Sequence, residues 1–144
     1  MKNLRDCFKT ALHPNYASLG LLVVRLIMGT AFILHGWGKI QTPFVWMGPD
    51  SPVPGIFQFL AAVSEFGGGI ALILGFLIPL ASIGLAFTMG TAVYFHMFVK
   101  GDPFVGTGGP SYELALVYLG NAILFLLIGP GMFSMDYKLF GEKD

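Results

Sequence analysis

Six residues in this 144-residue chain have types and positions suited to chemistry: Arg25, His35, Lys39, Glu65, His96 and Glu113. Arg25 and Glu65 fall inside apolar stretches long enough to cross a bilayer. An unpaired charge at that depth costs several kcal/mol, so such residues are either paired or functional. Two readings follow: a buried ion pair that locks helices together, or a site for a proton or a polar ligand.

His35 and Lys39 form a second set with His96 and Lys100, joined by Glu113. Both His-Lys pairs end apolar stretches, and Glu113 begins another. Together they describe an outward-facing basic pocket with one carboxylate, suited to an anion or a polar head group. The plainer reading is that lysines near span ends snorkel to water. Two histidines at matched depth are also the minimum for a b-type haem, but nothing else in the chain supports one. Two histidines with one distant carboxylate are a weak zinc set. No metal is expected.

The elements that carry these residues are membrane spans. The chain is 55% hydrophobic and 11% charged, against about 25% charged in ordinary soluble domains. A spanning helix needs about 20 mainly apolar residues. Four segments qualify, at about 17–38, 55–76, 78–99 and 112–132. The run from 55 to 99 is too long for one span. Gly75 and Pro79 break it, since proline suits the first turn of a new helix. The expectation is a single all-α membrane domain over residues 1–144, an integral four-helix bundle. Zero net charge gives no hint of nucleic acid. The lone Cys7 excludes an internal disulfide and a C-x-x-C relay.

The tails carry Lys2, Arg5, Lys9, Lys138 and Lys143, and the loops between spans carry Lys39 and Lys100. The positive-inside rule then puts both termini in the cytoplasm. The N-terminal segment reads as a retained amphipathic arm, because the apolar run after it is too long for a signal peptide and contains Arg25.

The chain also repeats itself. MGTAFILHGWGK at 28–39 matches MGTAVYFHMFVK at 89–100 at six of twelve positions, and Pro-Phe follows each copy. Two spans separate the copies, so the repeat is parallel and each unit is a helical hairpin. The shared small residues would let helices one and three pack closely. Arg25 maps onto Ala86, so the buried charge breaks the symmetry that the His-Lys pairs keep.

At about 1.5 Å of rise per residue, Arg25 and Glu65 each lie roughly 12–16 Å from the inner ends of their helices. They are therefore expected to pair in the inner half of the membrane. The loops hold Phe44, Trp46, Phe104 and Tyr112, which suit interfacial anchoring, and prolines and glycines able to cover a pocket. Tyr118 and Asn121 are expected to bond across helices. Gly129-Pro130-Gly131 should stop the last span, with Ser134 and Asp136 capping a short turn.

Arg25, His35-Gly36-x-x-Lys39, Glu65-x-Gly67-Gly68, Glu113 and Gly129-Pro130-Gly131-x-x-Ser134-x-Asp136, in that order, resemble the DoxX family of small bacterial membrane proteins. The resemblance covers roughly residues 18–140. It implies a four-helix membrane bundle in the bacterial inner membrane and a link to quinone-reducing redox systems. The implied function is a redox-associated subunit that binds quinone or a small polar ligand, at most part of a quinone-linked oxidoreductase. The chain has no flavin, haem or iron–sulfur motif, so a redox-enzyme partner would supply any such centre. Two other classes fit: a scaffold without chemistry of its own, and a small-solute transporter, for which so narrow a bundle would need a homo-oligomer.

Overall fold

Residues 14–141 are described by the computed structural model of the chain. The basic arm with Lys2, Arg5, Lys9 and Cys7, and also Lys143, lie outside the described residues. Five α-helices run in the order α1 (Asn15–Gln41), α2 (Gly55–Leu74), α3 (Ile78–Tyr94), α4 (Glu113–Ile128) and α5 (Met135–Phe140). A π-helical turn, Phe95–Val99, extends α3.

Proline sets three of the helix starts. Pro14 and Pro54 stand at the N-caps of α1 and α2, and Pro79 lies in the first turn of α3. Proline lacks the N–H that a first turn leaves unused and has the helical φ already. Gly75 ends α2 in the left-handed region, with φ 66°. Three residues separate α2 from α3, so the expected break at Gly75 and Pro79 is where the chain turns. α1, α2 and α3 with its π turn are each long and apolar enough to cross a membrane.

The fourth helix is shorter than expected. It stops at Ile128, four residues before the projected end, because Gly129 and Gly131 take φ of 79° and 80° around Pro130. Its 16 residues cover about 24 Å at 1.5 Å per residue.

Helices α1 to α4 form an up-and-down bundle, with α2 between α1 and α3, and α4 against α3. Leu21, Met28 and Phe32 of α1, Leu72 of α2, Leu85 and Met89 of α3, and Phe125 of α4 meet in one buried core. Outward faces such as Ile27, Leu34, Phe87 and Leu127 are exposed and apolar. A helix apolar all round suits lipid on one side and the core on the other.

Glycines set the closest helix approach, but between α1 and α2. A Cβ on Gly29 would meet the carbonyl oxygen of Gly69 at 2.8 Å, and one on Gly36 would meet the Phe66 nitrogen at 2.6 Å. The expected tight packing of helices one and three is not found. Gly90, the repeat partner of Gly29, faces open space. The short connections make consecutive helices neighbours, so α1 spends its small residues on α2.

Candidate functional site

Two sets of polar side chains lie toward opposite ends of the bundle. One end holds the described termini and the α2–α3 turn; the other holds the loops at 42–54 and 100–112.

At the terminal end, Arg25 is fully buried. Its Nη2 donates to the Phe133 carbonyl oxygen at 2.7 Å. The guanidinium packs against Gly75, where any Cβ would overlap it. Asp136 is also buried, and it accepts the Leu77 and Ile78 N–H groups at 2.8 Å each. These are the first free donors of α3, so a carboxylate there also complements the helix dipole. Burial pushes the Asp136 carboxyl above its ordinary range, against the pull of those two N–H groups and the Arg25 charge. The Asp136 N–H returns a bond to the Gly75 carbonyl oxygen at 2.9 Å. Ser134 caps α5, as expected, by accepting the Tyr137 N–H. Asp136 caps α3 instead of its own turn.

Arg25 therefore does not pair with Glu65. The antiparallel register explains why. Gly36 lies against Phe66 and Gly29 against Ile73, so Glu65 is level with the last turns of α1 and Arg25 with the end of α2. The depth estimate counted each residue from its own helix end, whereas α1 begins at residue 15 and runs past the level of the α2–α3 turn.

At the loop end, the Lys39 ammonium donates to both carboxylate oxygens of Glu65, at 2.5 and 2.7 Å. Glu65 is buried, with 3% of its side chain exposed, while Lys39 keeps 25%. The third face of the ammonium lies over the Trp46 ring, 4.5 Å from its centroid, a favourable cation–π geometry. Trp46 is held in turn, since its Nε1–H donates to the Gln58 carbonyl oxygen at 2.8 Å. The Gln58 side chain accepts from Met47 N–H and donates to the Val53 carbonyl oxygen. One buried amide thus ties the 42–54 loop onto α2.

A cavity of about 230 Å³ opens beside the Lys39–Glu65 pair. His35 and Phe32 from α1, Met89, Ala92 and His96 from α3, and Ser111, Ala115 and Tyr118 from the α4 side line it with that pair. Tyr118 also packs its ring on Phe32, with centroids 4.9 Å apart. It makes its cross-helix contact through the ring, while Asn121 bonds within α4 to Val117.

His96 points into this space because the π turn adds a residue to the end of α3. Lys100 N–H reaches back to the Phe95 carbonyl oxygen and Asp102 N–H to that of His96. Gly101, at φ 68°, makes the reversal. The same turn brings Asp102 Oδ2 within 2.6 Å of His96 Nδ1.

Of the six singled-out residues, four meet at this cavity: His35, Lys39, Glu65 and His96. Arg25 lies at the opposite end. Glu113 is exposed and outside the lining, with its N–H on the Phe104 carbonyl oxygen. The carboxylate of the pocket is Glu65, and Lys100 sits over the Phe95 ring. The repeat symmetry is lost there because α1 ends as a regular helix and α3 ends in a π turn. The pocket is accordingly not the expected basic ring, since its one lining lysine is neutralised. Asp102, Ser111 and Gln58 complete the loop end. The Gly101-Asp102 pair after an apolar helix was the available signal, as glycine there marks a helix C-cap. Among the described residues, no three His, Cys, Asp or Glu side chains gather as metal ligands.

Three apolar helices of spanning length and a fourth shorter one define a multi-pass helical membrane protein. The DoxX family profile matches residues 20–97, more than half of the sequence. The chain belongs to the DoxX family. It is 36% identical over 133 residues to the inner membrane protein YqjF of Escherichia coli, covering 87% of this chain and 95% of that one. An uncharacterized protein of Haemophilus influenzae is 33% identical over 87% of this chain and 94% of its own length. The inner membrane protein YphA of Escherichia coli is 30% identical over 82% of this chain and 89% of its own. No solved structure matches significantly.

Proposed function

We propose that this protein is a redox-associated inner-membrane subunit that binds the head group of a membrane-resident quinone in the loop-end cavity. The observation that carries the reading is the composition of the cavity wall: Phe32, Met89, Ala92 and Ala115 beside His35, His96, Ser111 and Tyr118. Binding sites for small organic molecules are mostly apolar with a few converging polar groups. Lys39 is already engaged by Glu65 and Trp46, which argues against a bare anion and for a neutral, hydrogen-bonding ring. The volume is below the roughly 300–1,000 Å³ of sites that enclose a whole drug-sized ligand. It suits one ring, with an apolar tail left in lipid.

The sequence carries no flavin, haem or iron–sulfur motif, so in this reading electrons would come from a partner oxidoreductase. On the positive-inside reading both termini lie in the cytoplasm, and the cavity would then face outward. The Lys39–Glu65 pair would then hold the walls apart, and Arg25 and Asp136 would fix the opposite end. Both relatives with a location in their names are inner membrane proteins, which supports that membrane.

The test is titration of the purified full chain in nanodiscs with short-chain benzoquinones and naphthoquinones, read by Trp fluorescence. Trp46 lies beside Lys39, so occupation should quench it. Ala92→Phe should abolish the quenching by filling the cavity. Quenching that survives Ala92→Phe, or none with any quinone, contradicts the reading. In that case a scaffold role, supported by the apolar outward faces, becomes the better account.

A further inference from the structure

His96 and Asp102 form an imidazole–carboxylate pair at the cavity that the reading above does not use. Asp102 reaches His96 through both backbone and side chain: its N–H donates to the His96 carbonyl oxygen at 2.9 Å, and its Oδ2 lies 2.6 Å from His96 Nδ1. The two bonds share one turn, closed by Gly101 at φ 68°, so the carboxylate is fixed under the ring. Single π turns in helices are found frequently at functional sites. The Asp102 side chain is only 15% exposed and the His96 side chain 31%. The pair is sheltered from competing water, and the imidazole still reaches the cavity.

The chemistry of the pair fixes a tautomer. A carboxylate only accepts hydrogen bonds, so the proton between the two groups belongs to Nδ1. In the neutral ring, Nε2 is then a lone-pair acceptor, and the partner on one nitrogen sets the role of the other. Nε2 has no hydrogen-bond partner among the described residues. We propose that His96, oriented by Asp102, is the acceptor that selects a hydroxyl-bearing head group. The cavity would thus prefer the reduced, quinol form of its ligand over the oxidised, carbonyl-only form. Asp102 is a positioning residue, acting through His96.

The inference rests on the quinone reading and sharpens it. The Lys39–Glu65 pair agrees with it, while the Ser111 and Tyr118 hydroxyls on the lining can donate or accept and so serve either form. Lys39 Nζ, the one ammonium on the lining, has two of its three donors on Glu65. Its third face covers Trp46, so it has little left to favour a ligand carbonyl. Glu65 lines the same cavity and can only accept. A ligand with hydroxyl protons meets the open His96 acceptor there, whereas a ligand without them leaves that acceptor unmatched; both Glu65 oxygens already accept from Lys39.

Two measurements on the full chain in nanodiscs test the inference. The first is the ¹⁵N spectrum of histidine-labelled protein, with His96→Gln assigning the His96 signals. Read at a pH where the ring is neutral, the expected result is a His96 proton on Nδ1, moving to Nε2 in Asp102→Asn, where the side-chain amide can donate to Nδ1. The second compares anaerobic binding of duroquinol and duroquinone. The quinol should bind about tenfold tighter, the worth of roughly one well-placed hydrogen bond, and Asp102→Asn should erase or invert that ratio. A wild-type His96 protonated at Nε2, or a ratio that Asp102→Asn leaves unmoved, overturns the inference while quinone binding stands. Failure of both compounds to bind the wild-type protein overturns the quinone reading and the inference together.

Discussion

Lys39 and Glu65, not Arg25 and Glu65, form the ion pair within the bundle, with the ammonium 2.5 and 2.7 Å from the two carboxylate oxygens. Arg25 precedes Lys39 by 14 residues, about 21 Å along α1 at 1.5 Å per residue. The two expensive charges of the sequence thus serve opposite ends of the molecule. One end is a latch built on backbone groups, and the other is a cavity whose apolar wall carries a few polar groups.

The pair makes a specific thermodynamic prediction. Lys39→Met leaves a buried carboxylate without its cation and should destabilise by about 2 kcal/mol. That is less than the roughly 3–5 for a fully buried pair, because Lys39 is a quarter exposed. Lys39→Met combined with Glu65→Gln should recover most of the loss. Thermal melts in detergent of the two single variants and the double variant measure it, and strictly additive losses would show that the two charges do not interact.

The latch should fail in graded steps. Asp136→Ala uncovers the Leu77 and Ile78 N–H groups, and each unsatisfied buried donor costs about 1–3 kcal/mol. Asp136→Asn keeps one acceptor oxygen and should lose about half as much. Chemical denaturation of the pure protein, comparing Asp136, Asn and Ala at this position, reports the order.

Gly75→Ala should be among the most damaging single-methyl additions in the chain. The left-handed backbone costs a non-glycine residue about 1–2 kcal/mol, and the new Cβ would overlap the buried Arg25 guanidinium. Detergent half-life at a fixed temperature should fall sharply. An unchanged half-life would mean that Arg25 is free to move away.

Two glycines that occupy matching places in the repeat should behave oppositely. Gly29→Leu would force α1 and α2 apart at Gly69 and Ile73, whereas Gly90→Leu points into open space. Accumulation in the membrane and melting temperature should drop for the first and stay near wild type for the second. Equal losses would indicate that Gly90 packs against another copy or a partner.

The helices were legible in the sequence because their signals are local. Apolar runs of spanning length gave α1 to α3, and Pro79 and Gly75 marked the α2–α3 turn. Helical spacing puts Arg25, Gly29, Phe32 and Gly36 on one face of α1, and that face is buried. Pairing was not legible, because it depends on the register between helices. That register is set by which glycines interlock, and Gly29 and Gly90 look alike in the repeat. The role of Asp102 depended on a π turn, which no periodicity announces. Four of the six named residues converge on one cavity, and their partners Trp46 and Asp102 lie in loops whose placement no local signal fixes.

The central claim is that the cavity between Lys39–Glu65 and His96 holds a quinone head group. It is tested most directly by photolabelling the full chain in nanodiscs with an azidoquinone and mapping the modified peptides. The account predicts labelling confined to the loop end, on segments carrying residues 32–46, 89–102 and 111–118, and suppressed by excess unlabelled quinone. Labelling centred on Arg25 and the 129–136 segment, or labelling that excess quinone does not suppress, would contradict it.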